Sequence, residues 1–136
     1  MNEKALELQK RTRRFASDVI LFCAGLPQNA ATREIIPQLI DSANGTDSNY
    51  RAACRARSTK EFIAKIGVAG EEADESQGWL ELILESRLAE GERIAALIRE
   101  ANELVSIFVA SRKTAERRQS LRADAQNRAS RSHKRV

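Results

Sequence analysis

Carboxylates crowd one stretch of this 136-residue chain at spacings that could hold metal ions. Six of them fall close together: Glu71, Glu72, Asp74, Glu75, Glu81 and Glu85. Di-iron sites in helical bundles also need a Glu-x-x-His motif from each of two helices. The single histidine, His133, lies near the C-terminus, so we predict no metal site and no cofactor. The alternatives are a surface that meets basic residues of another subunit, or a solvated acidic face.

Nucleophile chemistry has little support in the remaining polar residues. Ser58 and Lys60 are not spaced as a nucleophile and its base, and Ser58 is better explained as a helix cap followed by Glu61. Asn49 near a helix start more often caps backbone, and Tyr50 more often packs with its hydroxyl outward. The sequence shows no phosphate-binding loop, catalytic triad or cofactor motif. We therefore predict no catalytic residues and no enzyme.

Basic residues form two candidate binding sets for a polyanion. The first surrounds a predicted turn and contains Arg51, Arg55, Arg57 and Lys60. A solvated surface with pairs such as Glu61 and Lys65 is its alternative, favoured because no aromatic residues lie between the basic ones for bases to stack on.

The second set occupies the C-terminal segment, where residues 112–136 carry net charge +7 while residues 1–111 carry −3. Its members are Arg112, Lys113, Arg117, Arg118, Arg122, Arg128, Arg131, Lys134 and Arg135. Phosphate binding with counterion release and a solubilising, disordered terminus explain this composition equally well.

Helical elements must position these residues, because Ala, Leu, Arg and Glu dominate and apolar residues recur every three to four positions. The periodicity predicts an all-α, antiparallel up-down four-helix bundle over residues 1–118, with a basic, flexible and disordered tail over 119–136. We predict helices at about 4–24, 32–56, 59–89 and 92–118.

Several local signals refine these boundaries. Gly25 should end the first helix in a left-handed conformation, and Thr32 should cap the second. Asn44-Gly45-Thr46-Asp47 should interrupt the second helix. Ser58 and Glu61 should form a capping box for the third. The predicted core includes Phe15, Phe62, Leu80, Leu97 and Leu104.

The expected cellular compartment follows from the absence of membrane-spanning and signal-peptide patterns in the sequence. It contains no apolar run long enough to span a membrane and no signal-peptide pattern, so a cytoplasmic location is expected. Cys23 and Cys54 lie in apolar stretches, where buried free thiols are the simplest expectation.

A set of ordered motifs resembles a known family. They are Arg14-Phe15, Leu26-Pro27, Ser42 with Asn49-Tyr50-Arg51, Ala56-Arg57-Ser58-xx-Glu61-Phe62-xx-Lys65, and Glu72-Ala73-Asp74-Glu75-Ser76-xx-Trp79-Leu80. Over about residues 11–112 the chain resembles the four-helix-bundle proteins of the intervening sequences of bacterial 23S ribosomal RNA genes (S23 ribosomal-like).

That resemblance implies a four-helix bundle, a ring-shaped homopentamer and no known enzyme activity. A distantly related branch serves as the accessory protein of diversity-generating retroelements, in which a basic pentamer binds RNA and reverse transcriptase. The expected function is a non-enzymatic pentameric scaffold or adaptor that binds RNA or another polyanion, with a nucleic-acid-processing protein as a further partner. The alternative is an assembly or accessory factor that docks a partner protein without nucleic acid.

Overall fold

A computed structural model describes residues 2–134, which fold into four helices. They are α1 (Glu3–Ala24), α2 (Ala30–Cys54), α3 (Thr59–Glu85) and α4 (Glu92–Lys134). Each helix packs mainly on the next along the chain, and α1 also meets α4, less extensively. Cross-helix contacts run antiparallel, for example from Ser42 to Ser76 and from Thr12 to Asp47. The predicted all-α four-helix bundle is confirmed.

The core follows the predicted apolar seams. On α4 the buried residues are Ile94, Leu97, Ala101, Leu104 and Phe108. On α3 they are Ile66, Ala69, Ala73, Ser76, Leu80 and Ile83. The Phe108 ring stacks on Tyr50 of α2 with centroids 5.4 Å apart. Phe62 departs from the prediction of a core residue, because it is only partly buried and packs against the edge of the core.

The second helix has no interruption at residues 44–47, contrary to the sequence-based prediction. Gly45 lies against α3, where the Glu72 carboxylate occupies the space a β-carbon would need. The buried Asp47 carboxylate accepts hydrogen bonds from Thr12 Oγ1 and Arg13 Nε, each at 3.0 Å. These tertiary contacts keep residues 44–47 helical, although their local sequence favours a turn.

Helix starts differ from prediction in one case and agree in another. Asn29 rather than Thr32 caps α2: its side chain accepts from the Thr32 amide, and the Thr32 hydroxyl accepts from the Asn29 amide. Ser58 caps α3 as predicted, accepting from the Glu61 amide at 3.0 Å. The predicted capping box is only half formed, because the Glu61 carboxylate lies 3.7 Å from Arg57 and makes no hydrogen bond to the Ser58 amide.

The ends of α1 and α3, and the turns that follow them, differ from the sequence-based prediction. Gly25 has φ −90°, so α1 ends without the predicted left-handed residue, and the chain turns through hydrogen bonds from Gly25 and Leu26 to the last-turn carbonyls. Helix α3 ends at Glu85, four residues before the predicted boundary. Arg87 at φ 61° and Gly91 at φ 108° carry the left-handed conformations that turn the chain into α4.

Helix α4 differs most from prediction, because it continues to Lys134 instead of ending near residue 118. Residues 119–134 are exposed throughout. Ala, Arg, Gln and Leu have high helix propensity and let the helix continue without a packing partner. The boundary at 118 between bundle and tail, and the flexibility of the tail in solution, stay predictions. None of the helices in residues 2–134 is long and apolar enough to cross a membrane.

Candidate nucleic-acid interface

Helix α4 continues well past the point where its neighbour α3 begins, so its last residues have no part of α3 beside them. Where the two helices pack closely, Phe108 and Arg112 lie against Gly70 and Gly67, which have no side chains to keep them apart. Farther along, Arg122 Nη1 donates a hydrogen bond to Thr59 Oγ1 at 3.4 Å. Because Thr59 is the first residue of α3, residues 123–134 extend about 18 Å past it, at 1.5 Å per residue.

This geometry brings the two predicted basic sets to the same end of the molecule. Arg55, Arg57 and Lys60 are exposed in and beside the turn between α2 and α3. Thr59, the residue that Arg122 contacts, lies in the same turn. The sequence predicted both sets but not that they adjoin. We call residues 117–134 the extension, and Arg55, Arg57 and Lys60 the turn cluster.

Some of the candidate residues already have carboxylate partners inside the protein. Arg57 lies 3.7 Å from Glu61, and Arg112 Nε lies 3.6 Å from Glu116. Arg51 lies 3.9 Å from the buried Asp47, which also binds Arg13. Arg51 therefore belongs to a structural cluster between α1 and α2, and is a poor candidate for ligand binding.

Arg112 also has a structural role. It borders a cleft of about 220 Å³ between α3 and α4 that is lined by Phe108, Glu71 and Asp74. Its Nε is buried without a hydrogen-bond partner within residues 2–134. The carboxylates beside it favour a local electrostatic role over contact with an external phosphate.

The other candidates are free of such partners in the part of the chain that the structure describes. No carboxylate lies within 4.0 Å of Lys113 or of the remaining cations of the extension and turn cluster. Six are candidates from sequence: Arg55, Lys60, Lys113, Arg117, Arg118 and Arg122. All are exposed, so their charge is available to a polyanion.

A seven-residue pattern could have revealed this transition from the sequence. Ala101 and Phe108 in the buried seam are followed at the same spacing by Ala115, Arg122 and Ala129. Leu104, in the neighbouring row of that seam, is followed by Ser111 and Arg118. Arg122 and Arg118 stand two heptads after Phe108 and Leu104, so the large apolar side chains of the seam end near the point where the neighbouring α3 begins.

The acidic residues of α3 do not converge. No group of three or more potential metal ligands occurs within residues 2–134. Trp79 Nε1 donates to Glu75 at 3.4 Å, and Gln77 donates to Glu81 at 2.9 Å. Burial, reinforced by the nearby carboxylates of Glu75, Glu71 and Asp41, raises the pKa of Glu72. Exposed Val68 and Leu82 lie on the same helix, giving α3 a mixed acidic and apolar outer face.

Two cysteine thiols and a second cleft are the other candidate sites in the described residues. Cys23 and Cys54 are free, and burial raises the pKa of Cys23 to about 11, so its thiol stays protonated at neutral pH. An open cleft of about 410 Å³ separates α1 from α4. Arg14, Arg93, Asp18 and Glu100 line it, and charges of both signs favour no single ionic ligand.

Comparison with known proteins agrees with this architecture. A family model described as 23S rRNA-intervening sequence protein matches residues 4–110. A crystal structure of a protein of unknown function from the S23 ribosomal protein family of Bacteroides thetaiotaomicron superposes with a TM-score of 0.74. It is 23% identical, and the match covers 81% of this chain and 98% of that chain, a likeness that shows the fold. None of the curated proteins matches.

Proposed function

The chain belongs to the family of 23S rRNA-intervening sequence proteins, and from that premise we propose that it is a non-enzymatic, oligomeric RNA-binding scaffold of the cytoplasm. The bundle provides the assembly and the basic end of the molecule provides the binding surface. The observation that carries the proposal is the contact between Arg122 and Thr59, which joins the extension to the turn cluster.

Electrostatics favours the extension over the bundle as the binding element. Residues 112–134 hold eight basic and two acidic residues, whereas residues 1–111 carry net charge −3. The bundle therefore repels phosphates at long range, and the extension attracts them. Binding that depends on phosphate neutralisation releases counterions, depends weakly on sequence and weakens steeply with salt.

Assembly into a homopentamer is the second part of the proposal. The exposed side of α1 carries Leu6 and Leu21 beside the basic residues Lys10 and Arg14. The outer face of α3 combines exposed apolar side chains with carboxylates. Unlike faces that complement each other support a head-to-tail contact, which closes into a ring when the rotation permits. Five extensions on one ring would raise avidity for RNA without any new contact.

The test of RNA binding compares the full chain with a chain ending at Glu116. The structure favours this cut because Arg112 and Ala115 still pack against the bundle, while Arg117 and later residues are exposed. RNA is titrated at about 50 and about 200 mM salt. We expect the shortened chain to lose most of the affinity and most of the salt dependence. Equal affinity of the two chains would contradict a role for the extension.

A variant with Arg55, Arg57 and Lys60 changed to glutamine is the matched control for the turn cluster. We expect a smaller loss than the truncation causes, since three charges are removed and Arg57 is partly neutralised by Glu61. Light scattering of the full chain should give about five times the 15.2 kDa chain mass. A monomer at all concentrations would contradict the scaffold.

A protein-only adaptor is the second candidate, favoured by the exposed apolar side chains of α1 and α3. Leu21 is 57% exposed and Leu82 is 43% exposed, and a partner protein could cover either face. In this reading a nucleic-acid-processing protein is the docked partner. Failure of the full chain to bind RNA even at low salt would favour it.

A further inference from the structure

We propose that the extension binds a nucleic-acid duplex in preference to a single strand. The inference rests on the proposed function and names the class of nucleic acid. A duplex differs from a single strand in presenting two lines of phosphates that border a groove, and in hiding the faces of its bases.

The first observation is the lack of exposed Phe, Tyr and Trp side chains at the basic end. Phe108 is the last Phe, Tyr or Trp residue in the sequence, and it is buried against Tyr50. In the turn cluster the nearest aromatic residue along the chain is Phe62, which is partly buried. Proteins that bind single strands gain about 1–3 kcal/mol from each base stacked on an aromatic side chain. Within residues 117–134 the only exposed ring is the His133 imidazole, in the last turn of α4, so stacking can supply little of that energy.

The second observation is the form of the extension. It is a continuous helix that passes the end of its neighbour, and beyond Thr59 its residues are exposed in the part of the chain that the structure describes. A helix is about 10–12 Å across. The major groove of B-form DNA is about 12 Å wide and admits an α-helix, with a phosphate strand on each wall.

The third observation is the placement of charge around the extension. Arg118 and Arg122 are four residues apart and share the side that continues the core seam. Arg117, Arg128 and Arg131 share another side, turned more than about 100° around the axis at 3.6 residues per turn. A single phosphate line can use one side only, whereas the two walls of a groove can neutralise both.

The experiment measures affinity for duplex DNA, duplex RNA and single-stranded RNA of equal length and composition at one salt concentration. We expect at least one duplex to bind on the order of tenfold more tightly than the single strand, a difference of about 1.4 kcal/mol. The two duplexes separate a B-form groove from the narrower major groove of A-form RNA. Single-stranded RNA binding as tightly as both duplexes would overturn the inference while leaving RNA binding intact.

Paired substitutions test the two-sided contact directly. Arg118→Gln with Arg122→Gln removes both arginines of one side, and Arg117→Gln with Arg128→Gln removes two of the three arginines of the other. For a duplex we expect both pairs to weaken binding by similar factors and to lower the salt slope. A loss confined to one pair would overturn the inference. Leu121→Ala, at a side chain 59% exposed, is the uncharged control and should leave affinity unchanged.

Failure of this inference is distinguishable from failure of the proposed function. Binding to none of the three nucleic acids would remove both proposals. Circular dichroism of each variant checks that the extension is still helical, and all substituted residues are exposed, so the bundle should fold normally.

Discussion

The two halves of α4 share one helix but differ in what surrounds them. Residues 92–111 contribute five buried side chains to the core, while residues 117–134 are exposed on every side. The helical repeat continues across the division, and the large apolar residues of the inner face are followed by arginine and alanine. The difference shows that helix formation and core packing are separable, because the second half is helical without being packed; the binding role of that second half is our proposal.

Removing a leucine from each half should produce the largest contrast in stability. Leu104 is fully buried, so Leu104→Ala should cost about 2–5 kcal/mol through lost burial and a residual cavity. Leu121→Ala should change the free energy of unfolding by less than about 0.5 kcal/mol. Urea unfolding measures both. A cost at Leu121 comparable to that at Leu104 would show that the extension packs against something in solution.

Enlarging one side chain in each half of α4 also tests the difference between the packed and the exposed half. Ala101 is fully buried in the seam, and Ala129 lies four heptads further along the same row. Ala101→Leu should destabilise by about 1–3 kcal/mol because the core has no room for the added carbons. Ala129→Leu should leave the unfolding midpoint unchanged. If Ala101→Leu were neutral, the close approach of α4 to its neighbours would be wrong.

A smaller effect is expected from charge inside the bundle, and its size depends on pH. The raised pKa of Glu72 means that the folded state disfavours its ionised form, chiefly through burial. The penalty is absent below the ordinary glutamate pKa of about 4.5 and appears as pH rises through the folded value. Glu72→Gln should therefore raise the urea midpoint at pH 7 and lose that advantage near pH 4.

The matched control for that substitution is Asp124→Asn in the extension. Asp124 is exposed and outside the packed body, so its replacement should leave the midpoint alike at both pH values. A destabilising effect of Glu72→Gln at pH 7 would mean that the Glu72 carboxylate makes a favourable contact beside Gly45.

Periodicity made much of the bundle predictable. The seam residues Ile94 to Phe108 are buried as expected, because their spacing leaves one face to pack. The turn signal at 44–47 misled, since Asp47 is stabilised by Thr12 and Arg13, residues more than thirty positions earlier. Local preference cannot reveal such a partner before the fold is known.

The candidate interface was predictable in its members but not in its arrangement. Composition identified Arg55, Arg57 and the C-terminal arginines, because exposed basic clusters need no tertiary information to be seen. Their meeting at one end depends on how far α4 runs past Thr59. Low apolar content suggested disorder there, while helix propensity alone was enough to continue the helix. Likewise, Arg51 could be recognised as structural only once Asp47 was seen beside it.

The most direct test of the account is the salt dependence of RNA affinity when the extension is neutralised in place. The variant changes the following six residues to glutamine: Arg117, Arg118, Arg122, Arg128, Arg131 and Lys134. Each phosphate contact on a single strand contributes about 0.7 to the slope of log affinity against log salt. We predict that the slope of the full chain collapses towards zero in the variant. A slope unchanged from that of the full chain would place the binding surface elsewhere on the bundle and contradict the division of α4 into a packing half and a binding half.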